Sequence, residues 1–410
     1  MRVSGERNNR ESFSLVVDGP LFQLLRRAHL SGDALEGLPK RIVVFALLTW
    51  LPLVALSAVD GHMSGGRVNV PFLRDFDAHI RFLVALPLLM VAELVAHRRM
   101  QPMLEQFPSR RLIPETAMPR FDAAIASALR LRDSAFPEVL LIAFVYGTGI
   151  LLVSRHYMAL GPTTWYATPS SDGVKLTTAG LWYAFVSLPI FQFILYRWYF
   201  RLLVLARLLW RISRISLELV PTHPDRVGGL GFLATTVYGF APLAAAHGAL
   251  LAGLLANRIF YARAALPDFT LEVASVVLFM LCLTVGPMLV FTPQLALARR
   301  TGNREYGTLA ERYVRAFDTK WLRGGAPADE LFIGNADIQS LADLSNSFEI
   351  VRSMRLVPVT RGAMIGIAVA TVAPILPLFL TMMPLEDLVR VLFGMLVSAS
   401  PVKLPGPSAN

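Results

Sequence analysis

The sequence predicts an all-α protein, a polytopic bundle of transmembrane helices with amphipathic helices on its cytoplasmic side. Two observations predict this class. Hydrophobic residues make up 54% of the 410 residues and charged residues 17%, and the hydrophobic residues form long runs that a water-soluble domain cannot bury. The lysines and arginines are concentrated in alternate connections between these runs, as in multi-pass membrane proteins.

Seven runs approach or reach the length of about 20 apolar residues that crosses the hydrocarbon core of a bilayer. We predict spans at residues 42–59, 82–96, 139–153, 176–195, 232–256, 271–298 and 363–382. Residues 385–397 are a shorter, partly charged candidate for an eighth span or for a helix that lies in the interface. Because the first run begins only after residue 41, it is unlike a cleavable signal peptide, and the chain is expected to be retained whole.

The distribution of positive charge predicts the orientation. The connections on the side of the N-terminus contain 30 lysines and arginines, and those on the other side contain 7. Positively charged connections stay in the cytoplasm, so the N-terminus is predicted to be cytoplasmic. The net charge of +10 then follows from the topology. No nucleic-acid partner is predicted, because the arginines lie beside the spans and not in a soluble module with stacking aromatic residues.

This map divides the chain into five segments. Residues 1–41 are predicted to form a cytoplasmic segment with a short interfacial helix, and residues 42–298 a membrane bundle of six spans. Residues 299–362 are predicted to form a cytoplasmic helical segment. Residues 363–398 hold the last span and the short interfacial or eighth helix, and residues 399–410 form a tail.

The fourth predicted span continues into the cytoplasm as a helix, because the apolar spacing persists for about five turns beyond residue 195. Five arginines of this extension fall within an arc of about 140° around the helix axis. They are Arg197, Arg201, Arg207, Arg211 and Arg214. An anionic leaflet attracts each arginine near its surface by about 1 kcal/mol. We therefore predict that this arginine stripe contacts anionic lipid headgroups, and a ligand-binding stripe is the alternative.

Two amphipathic helices are predicted in the cytoplasmic segment. Asn303 is expected to cap the first helix, and the glycine- and proline-rich stretch RGGAPADELFIGN ends it. The second helix is predicted to run to Pro358 with four apolar residues on one face, which are Leu341, Leu344, Phe348 and Val351. Such faces must be covered, so the helices are expected to pack on each other, on other cytoplasmic helices or on a second copy of the chain. The last possibility predicts a homo-oligomer.

The stretch PTHPDRVGGLGFL, residues 221–233, connects the fourth and fifth spans. Its prolines end the incoming helix, and its aspartate and glycines suit a tight turn before the next helix. A structural elbow accounts for all of these features. Alternatively, the histidine and aspartate bind a cation, or the glycine amides bind an anion. The candidate functional residues of this loop are His223, Asp225, Gly228, Gly229 and Gly231.

The tripeptide His-Pro-Asp also occurs in J-domain co-chaperones, but here an apolar run follows it in place of a second soluble helix. The sequence more closely resembles an uncharacterised group of multi-pass bacterial inner-membrane proteins. The resemblance is carried by FALLTWLPL, FDAHIRFLVALPLL, HPDRVGGLGFL and DIQSLADLSNSFEIVRSMR, at residues 45–53, 76–89, 223–233 and 337–355. It implies an inner-membrane location and no particular activity or site.

His247 and Glu93 are candidates for an intramembrane polar site, because ionisable residues within spans are costly to bury. His247 lies near the middle of the fifth span among small residues spaced by four. This spacing allows close packing, so the span is expected at the centre of the bundle, with His247 facing protein or a wet cavity. His247 either is neutral and bonded to a carbonyl group or senses protons or lines a permeation path. Glu93 is expected to snorkel into the interface, with a coupling carboxylate as the alternative.

Six of the seven spans contain a proline, which bends a helix and can create a cavity or a hinge. The sequence lacks the signatures of metalloproteases, hydrolases and kinases, and its single cysteine, Cys282, supports no cysteine metal site. We therefore predict an ion channel or small-solute transporter without a catalytic residue, a metal or a cofactor. The second hypothesis is a membrane scaffold or regulatory protein. The third is an enzyme that acts on lipid headgroups or phosphate through His223 and Asp225.

Overall fold

The computed structural model describes the central part of the chain. The residues described are 14, 23, 37–64, 68–156, 163–170, 173–327, 330–331 and 334–381. The predicted interfacial helix within residues 1–41, the candidate eighth span at 385–397 and the tail at 399–410 lie outside these residues.

Helices dominate the described residues, as the sequence predicts. In chain order they are α1 Leu38–Val59, α2 Phe76–Ser109, α3 Met118–Asp133, α4 Ala135–His156, α5 Thr178–Ile212, α6 Phe232–Ala262, α7 Leu266–Leu322, α8 Ala336–Arg352 and α9 Arg361–Thr381. Within the described part, six of them are long and apolar enough to cross a membrane, namely α1, α2, α5, α6, α7 and α9. The third predicted span lies in α4, whose apolar stretch Ala135–Gly147 is shorter.

The exposed surface of these helices fits a membrane protein. Only 17% of the most apolar 18-residue stretch of α1 is buried inside the protein, although the mean hydropathy of this stretch is 2.5. Its side chains Val43, Leu47 and Leu51 are about half exposed. A contiguous apolar surface of this kind is stable against hydrocarbon and not against water.

A short β-hairpin is the exception to the all-α prediction. Strands β1 Ala167–Ser170 and β2 Gly173–Leu176 pair antiparallel. The predicted start of the fourth span at Leu176 is therefore wrong. The helix α5 begins after Thr177, whose hydroxyl accepts a hydrogen bond from the Gly180 amide and satisfies one of the free donors of the first turn.

The connections meet alternately at two ends of the bundle. At the first, which we call the hairpin end, Asp75 accepts hydrogen bonds of 2.8 Å from Trp165 Nε1 and from Asn257 Nδ2. At the second, the elbow end, the Glu218 amide donates to the Leu112 carbonyl over 2.9 Å. The loop at residues 213–231 and the loop at 353–360 also meet there. The charge pattern of the sequence predicts the same alternation.

Helix α6 is the centre of the bundle, which confirms the prediction from its small residues. In α6, 67% of the most apolar stretch is buried inside the protein, whereas the corresponding stretches of the other five apolar helices are 17–44% buried. The closest approach is at Gly248, where an added Cβ atom would lie 1.8 Å from the Thr371 carbonyl oxygen of α9. Glycine is required at this contact because any side chain would occupy the space of a backbone atom.

The prolines of the spans, except Pro52 in the regular helix α1, lie in or beside irregular turns of their helices. Pro87 follows a π-helical turn at Arg81–Ala85, and Pro189 follows another at Tyr183–Ser187. Proline has no amide hydrogen and clashes with the carbonyl group one turn earlier, so a wider turn accommodates it. The two π turns face each other, because Arg81 Nη1 donates a hydrogen bond of 2.7 Å to the Tyr183 hydroxyl.

Helix α7 continues beyond the bundle without a break, although it contains an irregular turn at Gly286–Phe291. It contains 57 residues, which corresponds to about 85 Å. The prediction that Asn303 caps a new helix is wrong, because α7 continues through residues 299–303, including Gly302. The predicted helix end at Pro358 is also too late, since α8 ends at Arg352.

The extension of α7 packs against α8, which confirms that the two amphipathic helices cover each other. Asp337 of α8 accepts hydrogen bonds of 2.9 Å from Lys320 Nζ and from Trp321 Nε1. The Asn335 side chain caps α8 by accepting from the Asp337 amide.

Candidate functional site

Two cavities lie along the interface between α5 and α7. The hairpin-end cavity has a volume of about 610 Å³, and its polar lining comprises Asp77, Arg81, Gln192, Tyr196, His247 and Ser275. The elbow-end cavity has a volume of about 740 Å³ and is lined by residues of α5 from Tyr199 to Trp210 and of α7 from Cys282 to Val290. The two cavities follow one face of α5 from Leu188 to Trp210. This distance is about 33 Å, which matches the hydrocarbon thickness of a bilayer.

Three aromatic rings separate the cavities, and we call them the aromatic constriction. Tyr199 lines the elbow-end cavity, whereas His247 and Phe279 line the hairpin-end cavity. The ring centroid of Phe279 lies 6.0 Å from that of Tyr199 and 6.0 Å from that of His247. The Tyr199 hydroxyl is 2.7 Å from His247 Nε2.

The hydrogen bonds of His247 define its tautomer. Its Nδ1 lies 2.8 Å from the Leu243 carbonyl oxygen, which can only accept, so Nδ1 carries a hydrogen. In the neutral ring Nε2 then accepts from the Tyr199 hydroxyl. The ring is therefore bonded to a carbonyl group and also lines a cavity. This geometry is compatible with a neutral structural histidine and with one that senses protons or lines a permeation path. Protonation of Nε2 would reverse the bond and leave the tyrosine hydrogen to find another acceptor.

An ion pair lies at the hairpin end of the first cavity. Arg81 Nη2 donates to Asp77 over 2.6 Å, one helical turn apart on α2. Within the described part of the chain, Arg81 Nε and Gln192 Oε1 are buried without a hydrogen-bond partner. One donor and one acceptor without a partner thus lie buried behind the lining of this cavity.

Glu93 lies in a buried charge cluster, and the prediction that it snorkels into the interface is wrong. Its carboxylate binds Arg41 of α1, and it accepts a hydrogen bond of 2.7 Å from Arg201 of α5. Arg197 lies 3.9 Å from Glu93 and 3.4 Å from Glu138 of α4. All five residues are buried, so four helices are joined by three guanidinium groups and two carboxylates.

This cluster also divides the predicted arginine stripe. Arg197 and Arg201 are one turn apart and face Glu93, so their predicted contact with lipid headgroups is wrong. The spacing of the arginines along α5 does not predict this ion pairing, because the negative charge belongs to Glu93 on α2. Arg207 and Arg211 lie further along α5 and Arg214 lies just after its end, and all three are partly or largely exposed. Arg207 lines the elbow-end cavity, and the guanidinium group of Arg214 lies 5.2 Å from the centre of the Trp210 ring.

The elbow loop uses the carboxylate of Asp225 for its own hydrogen bonds. Asp225 accepts from the amides of Val227 (2.9 Å), Gly229 (3.2 Å) and Gly231 (2.8 Å). Gly228 and Gly229 have φ values of +65° and +99°, which favour glycine. Two of the three candidate glycine amides, those of Gly229 and Gly231, are therefore already bonded to Asp225.

Neighbouring segments hold the loop from outside. Arg110 donates to the Gly229 carbonyl over 3.1 Å, and Arg355 donates to the Asp225 carbonyl over 3.0 Å. His223 Nδ1 lies 2.9 Å from the Asp225 carboxylate. Among the described residues, no group of three or more histidine, cysteine, aspartate or glutamate side chains is placed to hold a metal ion. The elbow residues do not line either of the two cavities.

Comparison with known proteins identified no relative. The chain matches no protein-family model, no curated protein and no solved structure. The resemblance noted from the four sequence motifs therefore stays a prediction, and function has to be inferred from the geometry.

Replacing Asp225 by alanine is expected to loosen the elbow loop. Burial raises the pKa of Asp225, but the three backbone amides and His223 lower it by more, so the pKa lies below its ordinary value of 3.8. The ionised carboxylate therefore stabilises the loop fully above pH 3.8, and this contribution is lost as the pH falls through the lowered pKa. Hydrogen exchange at Val227, Gly229 and Gly231 measures the effect.

The matched control is Glu218→Ala, because Glu218 is an exposed carboxylate of the same connection. Near neutral pH, the three amides are expected to lose protection in Asp225→Ala and to keep it in Glu218→Ala. In the wild type, the protection of these three amides from hydrogen exchange is expected to fall at strongly acidic pH, where Asp225 becomes protonated. Equal protection in both variants would show that Asp225 does not organise the loop.

Proposed function

We propose that the chain is a membrane transport protein whose route follows the groove between α5 and α7. The observation that carries this proposal is the pair of cavities that extend along these helices on either side of the aromatic constriction. A transporter exposes its substrate site to one side of the membrane at a time, and two chambers with a closure between them suit this requirement. Tyr199, His247 and Phe279 provide the closure, and the π turns beside Pro87 and Pro189 provide places where helices can bend.

We propose the topology that the charge pattern predicts for this transporter. It has seven spans, with α4 as the third, in the inner membrane of a bacterium, and the elbow end faces the cytoplasm. Arg207, Arg211 and Arg214 would then lie at the anionic inner leaflet, where each attracts headgroups. The closed constriction favours a gated transporter over an open ion channel.

A scaffold or regulatory protein is the second candidate, and one observation favours it. The extension of α7 and helix α8 cover each other incompletely, and Leu309, Val314 and Ile338 are each about half exposed. Exposed apolar side chains on cytoplasmic helices suit a partner or a second copy of the chain. We propose a homo-oligomer on this ground. Such an assembly is compatible with transport, whereas a pure scaffold moves nothing.

Reconstitution into liposomes tests transport directly. Purified full-length protein in liposomes is expected to move a substrate faster than protein-free liposomes do. The panel comprises protons, potassium, chloride, phosphate, a small neutral solute and a labelled phospholipid. Background rates for the whole panel, with folded and inserted protein, would contradict transport and favour the scaffold.

A further inference from the structure

We infer that the substrate of the groove is a membrane phospholipid, which binds with its acyl chains toward the bilayer and its phosphate group in the groove. This inference rests on the proposed transport function and specifies its substrate class.

Both cavities open sideways at the surface of the bundle. Their lining includes Leu203, Trp210, Leu254 and Phe279. These four side chains are 41–59% exposed, so the groove is not enclosed by protein. In a bilayer, its open side faces hydrocarbon, and a molecule in the groove contacts lipid and protein together. A water-soluble ion would have hydrocarbon on one side of its path, which carries a large desolvation cost.

The lining matches an amphipathic molecule. Most of it is apolar, contributed by leucine, valine and phenylalanine side chains. Polar groups recur along its length, from Arg81 and Gln192 through His247 to Arg207. A lipid needs this arrangement, because its acyl chains require no polar partner while its headgroup requires one at each depth.

Charge complementarity identifies the polar part of the molecule as a phosphate headgroup. Arg207 at the elbow end has an exposed side chain, and none of the described residues pairs with it. At the hairpin end, the partly exposed ion pair of Arg81 and Asp77 presents one cationic and one anionic group to the cavity. Arginine binds phosphate through charge-assisted hydrogen bonds, and the adjacent carboxylate suits the ammonium group of a zwitterionic headgroup.

The test measures lipid transfer between leaflets. Liposomes containing phosphatidylethanolamine with a fluorescent headgroup or acyl-chain label are prepared with and without the full-length protein, and an impermeant reductant bleaches the outer leaflet. With the protein, label from the inner leaflet is expected to be bleached as well. Potassium, chloride and phosphate fluxes, measured on the same preparation, are expected to stay at background.

A matched pair of variants tests the route. Arg207 lines the elbow-end cavity, whereas Arg312, an exposed arginine on the extension of α7, lines neither cavity. Arg207→Gln is expected to slow lipid transfer about fivefold, the loss expected from one arginine–headgroup attraction. Arg312→Gln is expected to leave the rate unchanged. Equal rates in the two variants would overturn the groove as the path of the lipid.

The remaining outcomes separate this inference from the function on which it rests. Transport of a soluble solute without lipid transfer overturns the lipid as substrate and leaves transport in place. Background rates for every substrate overturn both. If a second copy of the chain fills the groove, lipid transfer is absent and Leu203→Arg converts an oligomer to a monomer in detergent, which also overturns the inference.

Discussion

Replacing Glu93 by glutamine is expected to destabilise the folded protein by about 3–5 kcal/mol, the usual cost of removing one partner from a buried ion pair. Arg41, Arg197 and Arg201 would then share the single carboxylate of Glu138 inside the bundle. Buried guanidinium groups without a countercharge are too costly to retain, so α1 and α5 are expected to separate from α2. The thermal unfolding midpoint in detergent and the folded fraction after size exclusion measure this effect.

Glu105→Gln is the matched control for this prediction, because Glu105 is an exposed glutamate on the same helix. Its unfolding midpoint is expected to equal that of the wild type. In addition, Glu93→Gln combined with Arg201→Gln is expected to lose less stability than the sum of the two single variants, since the pair is coupled. Equal midpoints for Glu93→Gln and Glu105→Gln would show that the cluster does not hold the helices together.

Gly248→Ala is expected to have the second largest effect. The new methyl group would lie 1.8 Å from the Thr371 carbonyl oxygen, and a backbone atom cannot move aside as a flexible side chain does. The helices α6 and α9 must therefore move apart, at a cost of about 1–3 kcal/mol or more. A lower unfolding midpoint and a lower yield of folded protein are the expected results.

Gly147→Ala provides the comparison, because an added Cβ atom at Gly147, inside the helix α4, meets nothing within 4 Å. Alanine also loses less conformational freedom than glycine on folding, so this variant is expected to be neutral or slightly more stable. The close packing of α6 and α9 would be refuted if both alanine variants unfolded at the same temperature.

The sequence predicted the apolar helices because span length and hydrophobicity are local properties. The small residues around Gly248 likewise predicted that α6 lies at the centre, since close helix approach needs them on one face. Helix α5 was correctly expected to continue beyond the fourth run. The start of the fourth span was wrongly placed at Leu176 because this residue belongs to a short β-hairpin. The hairpin forms through pairing between its two strands, which hydrophobicity does not predict.

The candidate site was predicted only in part. His247 was recognised because an ionisable residue within an apolar run is conspicuous. Tyr199 and Phe279 were not, since an aromatic residue in a span is unremarkable until its neighbour on another helix is known. The same applies to Arg197 and Arg201, whose contact with Glu93 requires the packing of α2 against α5.

The transport rate of Ser275→Trp, compared with that of Leu278→Trp, tests the groove most directly. Ser275 lines the hairpin-end cavity, whereas Leu278 is 62% exposed on the same helix and lines neither cavity. The indole ring at position 275 would fill the groove and is expected to reduce transport to the rate of protein-free liposomes. Leu278→Trp is expected to transport at the wild-type rate. Wild-type transport by folded Ser275→Trp would contradict a route between α5 and α7.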